Sequence, residues 1–198
     1  MNGTNQAVWI VGDVHGAIFT LERLLAKISK DARVIFVGDL VDKGNYSKEV
    51  FELVTSSYET IFGNHEFLMF NYIRDAILRG KNSMWNTNPA YGGAKTVRSY
   101  QNDIDALMRH IEIIPKLPKY MIIGEYFITH GFGLPYYRQR DTKPRPLYVN
   151  RLEKPFDDWE EGCKTTLSST FLAIPFTKNQ ILGQTTSVST PDVETSWP

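Results

Sequence analysis

The 198-residue sequence predicts an α/β protein, because segments with the pattern of strands alternate with segments with the pattern of helices through its first half. Three short runs rich in β-branched and aromatic residues are each followed by apolar residues at helical spacing. This βαβαβα order is typical of a parallel sheet covered by helices. Each predicted strand ends in a glycine-containing string of polar residues, at the edge where open α/β sheets bind their ligands.

The first three strand–helix units can be bounded from the sequence. The predicted strands are residues 7–11, 34–37 and 60–62, and the predicted helices are residues 17–28, 47–55 and 66–78. The first helix carries apolar residues on one face, namely Ile18, Leu21, Leu24, Leu25 and Ile28. Gly80 follows the third helix and is a typical helix terminator.

The remainder of the chain has a different sequence pattern. Residues 81–93 are polar and predict a loop, and one helix is predicted within residues 94–111. Two strands at 119–123 and 126–129 predict a hairpin, and residues 179–182 predict one more strand. Residues 157–172 are partly helical in pattern. No linker composition interrupts the sequence, which predicts a single domain over residues 1–198.

Composition excludes several classes of protein. Lys and Arg number 22 and Asp and Glu number 22, so no overall basic field favours nucleic acid. No apolar run approaches the roughly 20 residues that span a bilayer, and no membrane association is predicted. The lone Cys163 cannot form an internal disulfide, and no signal-peptide pattern is present, which together favour a cytoplasmic protein. No pattern indicates an oligomeric state.

The candidate metal-binding and catalytic residues lie in three short polar segments, here called strings. They are Gly12-Asp13-Val14-His15-Gly16, Gly38-Asp39-Leu40-Val41-Asp42-Lys43-Gly44 and Gly63-Asn64-His65-Glu66. Carboxylate, imidazole and amide ligands from Asp13, His15, Asp39 and Asn64 form a set that suits manganese, iron, zinc or nickel. Asp39 is placed to bridge two ions, and two ions together can clamp a phosphoryl group and activate water at neutral pH. Turn formation explains any one string alone, but not all three in order.

His65 is predicted to be a general acid. Its neighbour Asn64 points at the metal, so the imidazole is free to face the substrate and protonate a leaving alkoxide. Asp42 is the candidate carboxylate that holds its tautomer. Lys43 can contact a phosphate oxygen as a point charge. His110 lies in a helical pattern and is predicted to be structural.

The three strings resemble the signature of the calcineurin-like metallophosphoesterases. Within that family the chain resembles the phosphoprotein phosphatase branch, in particular the small bacterial and bacteriophage serine/threonine phosphatases. Trp85, followed by Gly92-Gly93 and Thr96, is similar to a segment that these small enzymes carry after the third string. The resemblance extends from about Val8 to Thr185 and implies a two-sheet β-sandwich flanked by helices.

The resemblance implies a role for each matching residue. Asp13 and His15 would bind the first of two divalent transition-metal ions, Asp39 would bridge both, and Asn64 and His130 would bind the second. His65 and Asp42 would be the acid–carboxylate pair, and Lys43 and Arg151 would contact phosphate. Gln184, in Gly183-Gln184-Thr185, occupies the place of the family's last metal-binding histidine.

Two of these positions depart from the family pattern. The family usually has arginine where Lys43 stands, so a bidentate phosphate contact becomes monodentate. Gln184 offers an amide oxygen, which is a weaker ligand than imidazole for these metals. No histidine follows His130 in the sequence, and the family normally continues with further strands beyond Pro198.

The function predicted in this way is metal-dependent hydrolysis of phosphate monoesters, with phosphoserine or phosphothreonine of a protein or peptide as substrate and manganese as the first metal to try. Four basic residues, Arg138, Arg140, Lys143 and Arg145, can steer acidic phosphopeptides. Two alternatives stay open. One is a symmetrical diadenosine tetraphosphatase, for which Tyr136, Tyr137 and Trp85 are candidate base-stacking residues. The other is a catalytically impaired phosphate-binding module, which Gln184 favours.

Overall fold

A computed structural model describes residues 6–123, 126–130 and 180–182. The strands are β1 Val8–Val11, β2 Arg33–Phe36, β3 Glu59–Thr60, β4 Tyr120–Ile123, β5 Tyr126–Thr129 and β6 Gln180–Leu182. The helices are α1 Ile18–Leu25, α2 Ser47–Ser57, α3 Asn64–Arg79, α4 Met84–Thr87, α5 Gly93–Tyr100 and α6 Ile104–Ile113, and a 3-10 turn at Ile114–Lys116 follows. None of the helices in these residues has the length and apolar character needed to cross a bilayer.

The first sheet is parallel, as the alternation of strands and helices predicts. Its strands lie in the order β1-β2-β3, with Val8 paired to Arg33 and Ile35 paired to Glu59. Because the three strands run in one direction, their carboxyl ends meet at one edge of the sheet. The three polar strings leave the sheet at that edge.

Strand β2 is buried on both faces. Val34 and Phe36 point into the larger apolar cluster, which the helices cover. Ile35 and Val37 point the other way and pack with Ile128 of β5. This alternation follows from the two-residue period of a strand, and burial on both faces is typical of parallel sheets.

The hairpin predicted after Pro118 is confirmed. β4 and β5 pair antiparallel, with Tyr120 opposite Thr129. β6, close to the strand predicted at residues 179–182, pairs parallel to β5. The described residues therefore contain two three-stranded sheets, and the α/β prediction is confirmed.

Two predictions for the middle of the chain are incomplete. Residues 81–93 contain the short helix α4, and the side chain of Asn86 accepts the N–H of Ser83 at its start. Residues 94–111 form two helices instead of one, because Asp103 accepts the N–H of Ala106 at 3.0 Å and so begins a second helix. Both caps are side-chain contacts that apolar periodicity does not register.

Candidate active site

The first two strings are held together through their backbones. The N–H of His15 donates to the carbonyl of Asp39 at 2.9 Å, and the N–H of Gly16 donates to that of Leu40 at 2.8 Å. A Cβ atom on Gly44 would lie 2.1 Å from the carbonyl oxygen of His15, so only glycine permits this approach. The glycines of the strings thus serve to bring their polar residues together.

Four non-glycine residues of the strings adopt a left-handed backbone conformation. The φ angles are 49° at His15, 53° at Asp39, 70° at Asp42 and 55° at Lys43. Such a conformation costs on the order of 1 kcal/mol per residue and persists where the surrounding structure fixes it, which occurs often at functional sites. All four are residues to which the sequence assigns a site role.

Asp39 lies at the centre of the site and is fully buried. Its Oδ1 accepts the N–H of His65 at 3.0 Å, whereas its Oδ2 has no hydrogen-bond partner among the described residues. The Nε2 atoms of His15 and His65 each lie 3.8 Å from that oxygen. A buried carboxylate oxygen without a donor is costly, and a cation beside it removes this cost.

Backbone carbonyls fix the rings of two histidines. The Nδ1 atom of His15 donates to Val41 at 2.8 Å, and that of His130 donates to Val37 at 2.7 Å. In the neutral rings each Nε2 therefore keeps its lone pair for a metal ion. The Nε2 of His130 lies 2.8 Å from Oδ1 of Asn64. Both are acceptor atoms in this tautomer, and a cation bound between them would be a ligand partner for each.

The potential ligands form two overlapping triads. His15, Asp39 and His65 make up one, and Asp13, Asp39 and His130 make up the other, each with ligand atoms within 4.8 Å of one another. Asp39 is common to both, as its predicted bridging role requires. The donor set fits two divalent ions.

The electrostatic environment favours positive charge. Burial lowers the pKa of His15, but contacts with Asp13 and the Val41 carbonyl and the charge of Asp39 outweigh it, so the pKa lies above its usual value. The Nζ atom of Lys43 already donates to Nε2 of His15 at 2.8 Å. The negative charge of Asp13 and Asp39 attracts a metal ion or a cationic side chain to the site.

Glu66 organises the site although the sequence assigned it no role. Its carboxylate accepts the N–H groups of Asp39 at 2.8 Å, Leu40 at 2.8 Å and Gly63 at 3.0 Å. Burial and the charge of Asp39 raise the pKa of Glu66 to about 7, which again favours a cation nearby. Its position at the third residue of a helix that begins after glycine is a capping signal that could have identified it.

His65 and Asp42 are in direct contact, as the sequence predicts. The Nδ1 atom of His65 donates to Oδ2 of Asp42 at 2.8 Å, and both side chains are buried. The Nε2 atom of the same ring faces Asp39. One nitrogen of the His65 ring is therefore hydrogen-bonded to a carboxylate. The other faces the side of Asp39 on which a metal ion or substrate would bind.

The family assignment follows from a comparison with known proteins. Residues 7–161 match the family model of the calcineurin-like phosphoesterases. The chain belongs to the calcineurin-like phosphoesterase family.

The relatives of this phosphoesterase act on different substrates. It is 36% identical over 132 residues to a probable serine/threonine-protein phosphatase of Encephalitozoon cuniculi, covering 65% of this chain and 26% of that protein. It is 28% identical over 161 residues to an asymmetrical bis(5'-nucleosyl)-tetraphosphatase of Oceanobacillus iheyensis, covering 70% and 62%. The match thus spans less than two thirds of either relative.

One solved structure shows the same fold. A protein serine/threonine phosphatase of Saccharomyces cerevisiae superimposes with a TM-score of 0.50 at 21% identity, covering 81% of this chain and 49% of that chain. This likeness confirms a metallophosphoesterase-like α/β fold.

Some predicted residues of the phosphoesterase lie outside the described residues. These are Arg151, Gln184, Tyr136, Tyr137 and the basic residues of 138–145. Their roles stay predictions. Trp85 is described, and it is only 1% exposed, so its ring is not available to stack on a base. His110, predicted to be structural, bonds to Tyr100 at 2.7 Å.

A cavity of about 800 Å³ lies apart from this site, between α1, α2 and α6. Its lining includes Phe19, Tyr46, Glu49 and Arg109 but none of the predicted site residues. The candidate active site is defined by converging polar atoms rather than by cavity volume.

Proposed function

We propose that this phosphoesterase is a metal-dependent phosphomonoester hydrolase that acts on phosphoserine and phosphothreonine of proteins. One observation carries the proposal: a buried Asp39 whose unpaired Oδ2 lies 3.8 Å from Nε2 of both His15 and His65. A carboxylate in this position can be shared by two metal ions, which together clamp a phosphoryl group and activate water. The relative named as a serine/threonine-protein phosphatase supports the choice of substrate.

The residues that would hold the two ions are Asp13, His15, Asp39, Asn64 and His130, with Gln184 completing the second site. Ions bound there would polarise the phosphoryl oxygens and lower the pKa of a bound water. Oxygen and nitrogen ligands without thiolate favour manganese, and iron, zinc and nickel fit the same set.

The remaining residues would bind the substrate and protonate its leaving group. Nε2 of His65 would protonate the leaving oxygen, because Asp42 holds the opposite nitrogen at 2.8 Å and so fixes the ring. The ammonium of Lys43 would exchange its contact with His15 for a phosphate oxygen. Arg151 would supply a second phosphate contact.

We also infer that the two sheets pack as a sandwich. Ile128 of β5 shares a buried cluster with Ile35 of β2 and with Val37, the residue after that strand, which supports face-to-face packing. A cytoplasmic location is inferred from the single Cys163 and stays a proposal.

Phosphopeptides are expected to be cleaved faster than diadenosine tetraphosphate. The buried ring of Trp85 removes one candidate for base stacking, which favours the peptide. Turnover of a phosphoserine peptide and of the dinucleotide is compared at saturating Mn²⁺, with Asp39→Ala as the blank. A clear preference for the dinucleotide would contradict the assignment and favour the nucleotide hydrolase, a class to which the Oceanobacillus iheyensis relative belongs by name.

Gln184→His is expected to tighten the second metal site and to raise turnover at limiting Mn²⁺. Imidazole is a better ligand than an amide oxygen for these metals. Calorimetric Mn²⁺ titration measures the affinity, with Gln184→Ala as the control that removes the ligand. Identical affinity and stoichiometry in all three proteins would show that residue 184 does not contact the metal.

A further inference from the structure

The carboxylate of Asp42 is held from two sides by residues that follow α3. The indole Nε1 of Trp85 donates to Oδ2 at 2.7 Å, and the hydroxyl of Thr96 donates to Oδ1 at 2.6 Å. Trp85 is 1% exposed, and Asp42 and Thr96 are fully buried. Hydrogen bonds from buried donors to a carboxylate are among the stronger ones in proteins, so each of these contacts restrains the Asp42 side chain.

The same carboxylate is the partner of His65. Oδ2 accepts both the Trp85 indole and Nδ1 of His65, the latter at 2.8 Å. With Thr96 on the other oxygen, the carboxylate cannot rotate without breaking a buried bond. The backbone is fixed as well, because the N–H of Asp42 donates to Thr96 at 2.9 Å and to Ser47 at 3.1 Å.

Two glycines make room for this arrangement. A Cβ atom on Gly93 would lie 2.4 Å from the Trp85 ring, and one on Gly92 would lie 2.4 Å from the backbone nitrogen of Lys43. Side chains at these positions would push α5 and its Thr96 away from Asp42. The segment after α3 is therefore packed specifically around the carboxylate.

We propose that Trp85 and Thr96 are positioning residues that orient Asp42 and, through it, the imidazole of His65. The inference rests on the proposed function, in which Nε2 of His65 protonates the leaving oxygen. Both side chains are buried and hydrogen-bond to Asp42. Their contribution is to keep one carboxylate oxygen on Nδ1 of His65 and to exclude water from it, so that the ring does not turn away during turnover.

The test uses variants that remove the side-chain hydrogen bonds to Asp42. Trp85→Phe removes the indole donor together with part of the ring volume. Thr96→Val keeps the volume and removes a hydroxyl that donates to the carboxylate and accepts the N–H of Asp42. Trp85→Phe and Thr96→Val in the full-length protein are each expected to lower kcat roughly 10-fold on a phosphoserine peptide, which corresponds to ~1.4 kcal/mol. KM and Mn²⁺ affinity should change little. The loss should be smaller on 4-nitrophenyl phosphate, whose leaving group needs little protonation. Thr96→Ser, which keeps the hydroxyl, should restore most of the activity.

The matched controls are Tyr100→Phe and Thr60→Val. Each removes a buried hydroxyl that does not contact Asp42, since Tyr100 bonds to His110 and Thr60 bonds to Ile61. They should leave the ratio of the two substrates unchanged. An equal loss on both substrates in Trp85→Phe and Thr96→Val, matched by the controls, would mean a purely structural role and overturn the inference.

A double-mutant cycle separates this inference from the proposed function. In an Asp42→Asn background, Trp85→Phe should have little further effect, because residues that act as a unit are not additive. Full additivity would show that Trp85 does not act through Asp42. An inactive wild type would instead contradict the proposed function.

A spectroscopic measurement reports on the contact without turnover. In NMR spectra of protein loaded with diamagnetic Zn²⁺, the indole proton of Trp85 should be far downfield and should shift upfield on Asp42→Asn. The Nδ1 proton of His65 should shift in Trp85→Phe and not in Tyr100→Phe. Unchanged signals for both protons would overturn the inference whatever the activity.

Discussion

Replacing Asp39 by alanine is expected to lower phosphate release by more than about 100-fold, since even residues that only support a metal ligand cost 10–100-fold when removed. Asp39 belongs to both ligand triads, so its loss weakens both metal positions at once. Loss of Asp13 or His130 should be less severe. The measurement is kcat on a phosphoserine peptide at saturating Mn²⁺.

A thermal unfolding assay provides a second readout for this variant. Ligand at 100 times its Kd stabilises the folded state by about 2.7 kcal/mol, so Mn²⁺ should raise the Tm of the wild type and not that of Asp39→Ala. Asp75→Ala is the control, since Asp75 pairs with Arg79 on the outer part of α3. Near-normal turnover or a full Mn²⁺ shift in Asp39→Ala would show that Asp39 does not bridge two ions.

His65→Asn is expected to lower kcat on a phosphoserine peptide by roughly 10²–10⁴-fold, the range for loss of a general acid. The loss should be much smaller on 4-nitrophenyl phosphate, because its leaving group departs without a proton. Mn²⁺ content per chain should stay close to that of the wild type. Steady-state kinetics on the two substrates and metal analysis of the purified variant give these values.

His110→Asn is the matched control for His65→Asn. His110 is also a buried histidine, but it bonds to Tyr100 and Glu52 and does not contact Asp39 or Asp42. Its replacement should lower Tm without changing the ratio of rates on the two substrates. An equal loss on both substrates in His65→Asn would argue against proton donation, and a loss of Mn²⁺ would make His65 a ligand.

The positions of the three strings could be predicted because they depend on local pattern. Period-two and helical runs place each string after a strand, and parallel strands bring their carboxyl ends to one edge. The contact between His65 and Asp42 followed from the chemistry of the pair. The structure brings together every predicted site residue that it describes.

The supporting contacts could not be predicted in the same way. The bonds from Glu66 to the second string and from Trp85 and Thr96 to Asp42 join residues far apart in sequence, and no periodicity encodes them. The division of residues 94–111 into two helices depends on a single cap at Asp103. The contacts of Glu66, Trp85 and Thr96 become visible only when packing is known, whereas the Asp103 cap is a local signal that apolar periodicity does not register.

Metal-restored phosphate release tests the central claim most directly. The full-length protein is stripped of metal with a chelator, dialysed, and assayed on a phosphoserine peptide before and after addition of Mn²⁺, with Asp39→Ala treated in parallel. The proposed function predicts no release from stripped protein, recovery of release with Mn²⁺, and no recovery in Asp39→Ala. Release that survives stripping, or wild-type protein that binds Mn²⁺ and phosphopeptide but releases no phosphate, would contradict it.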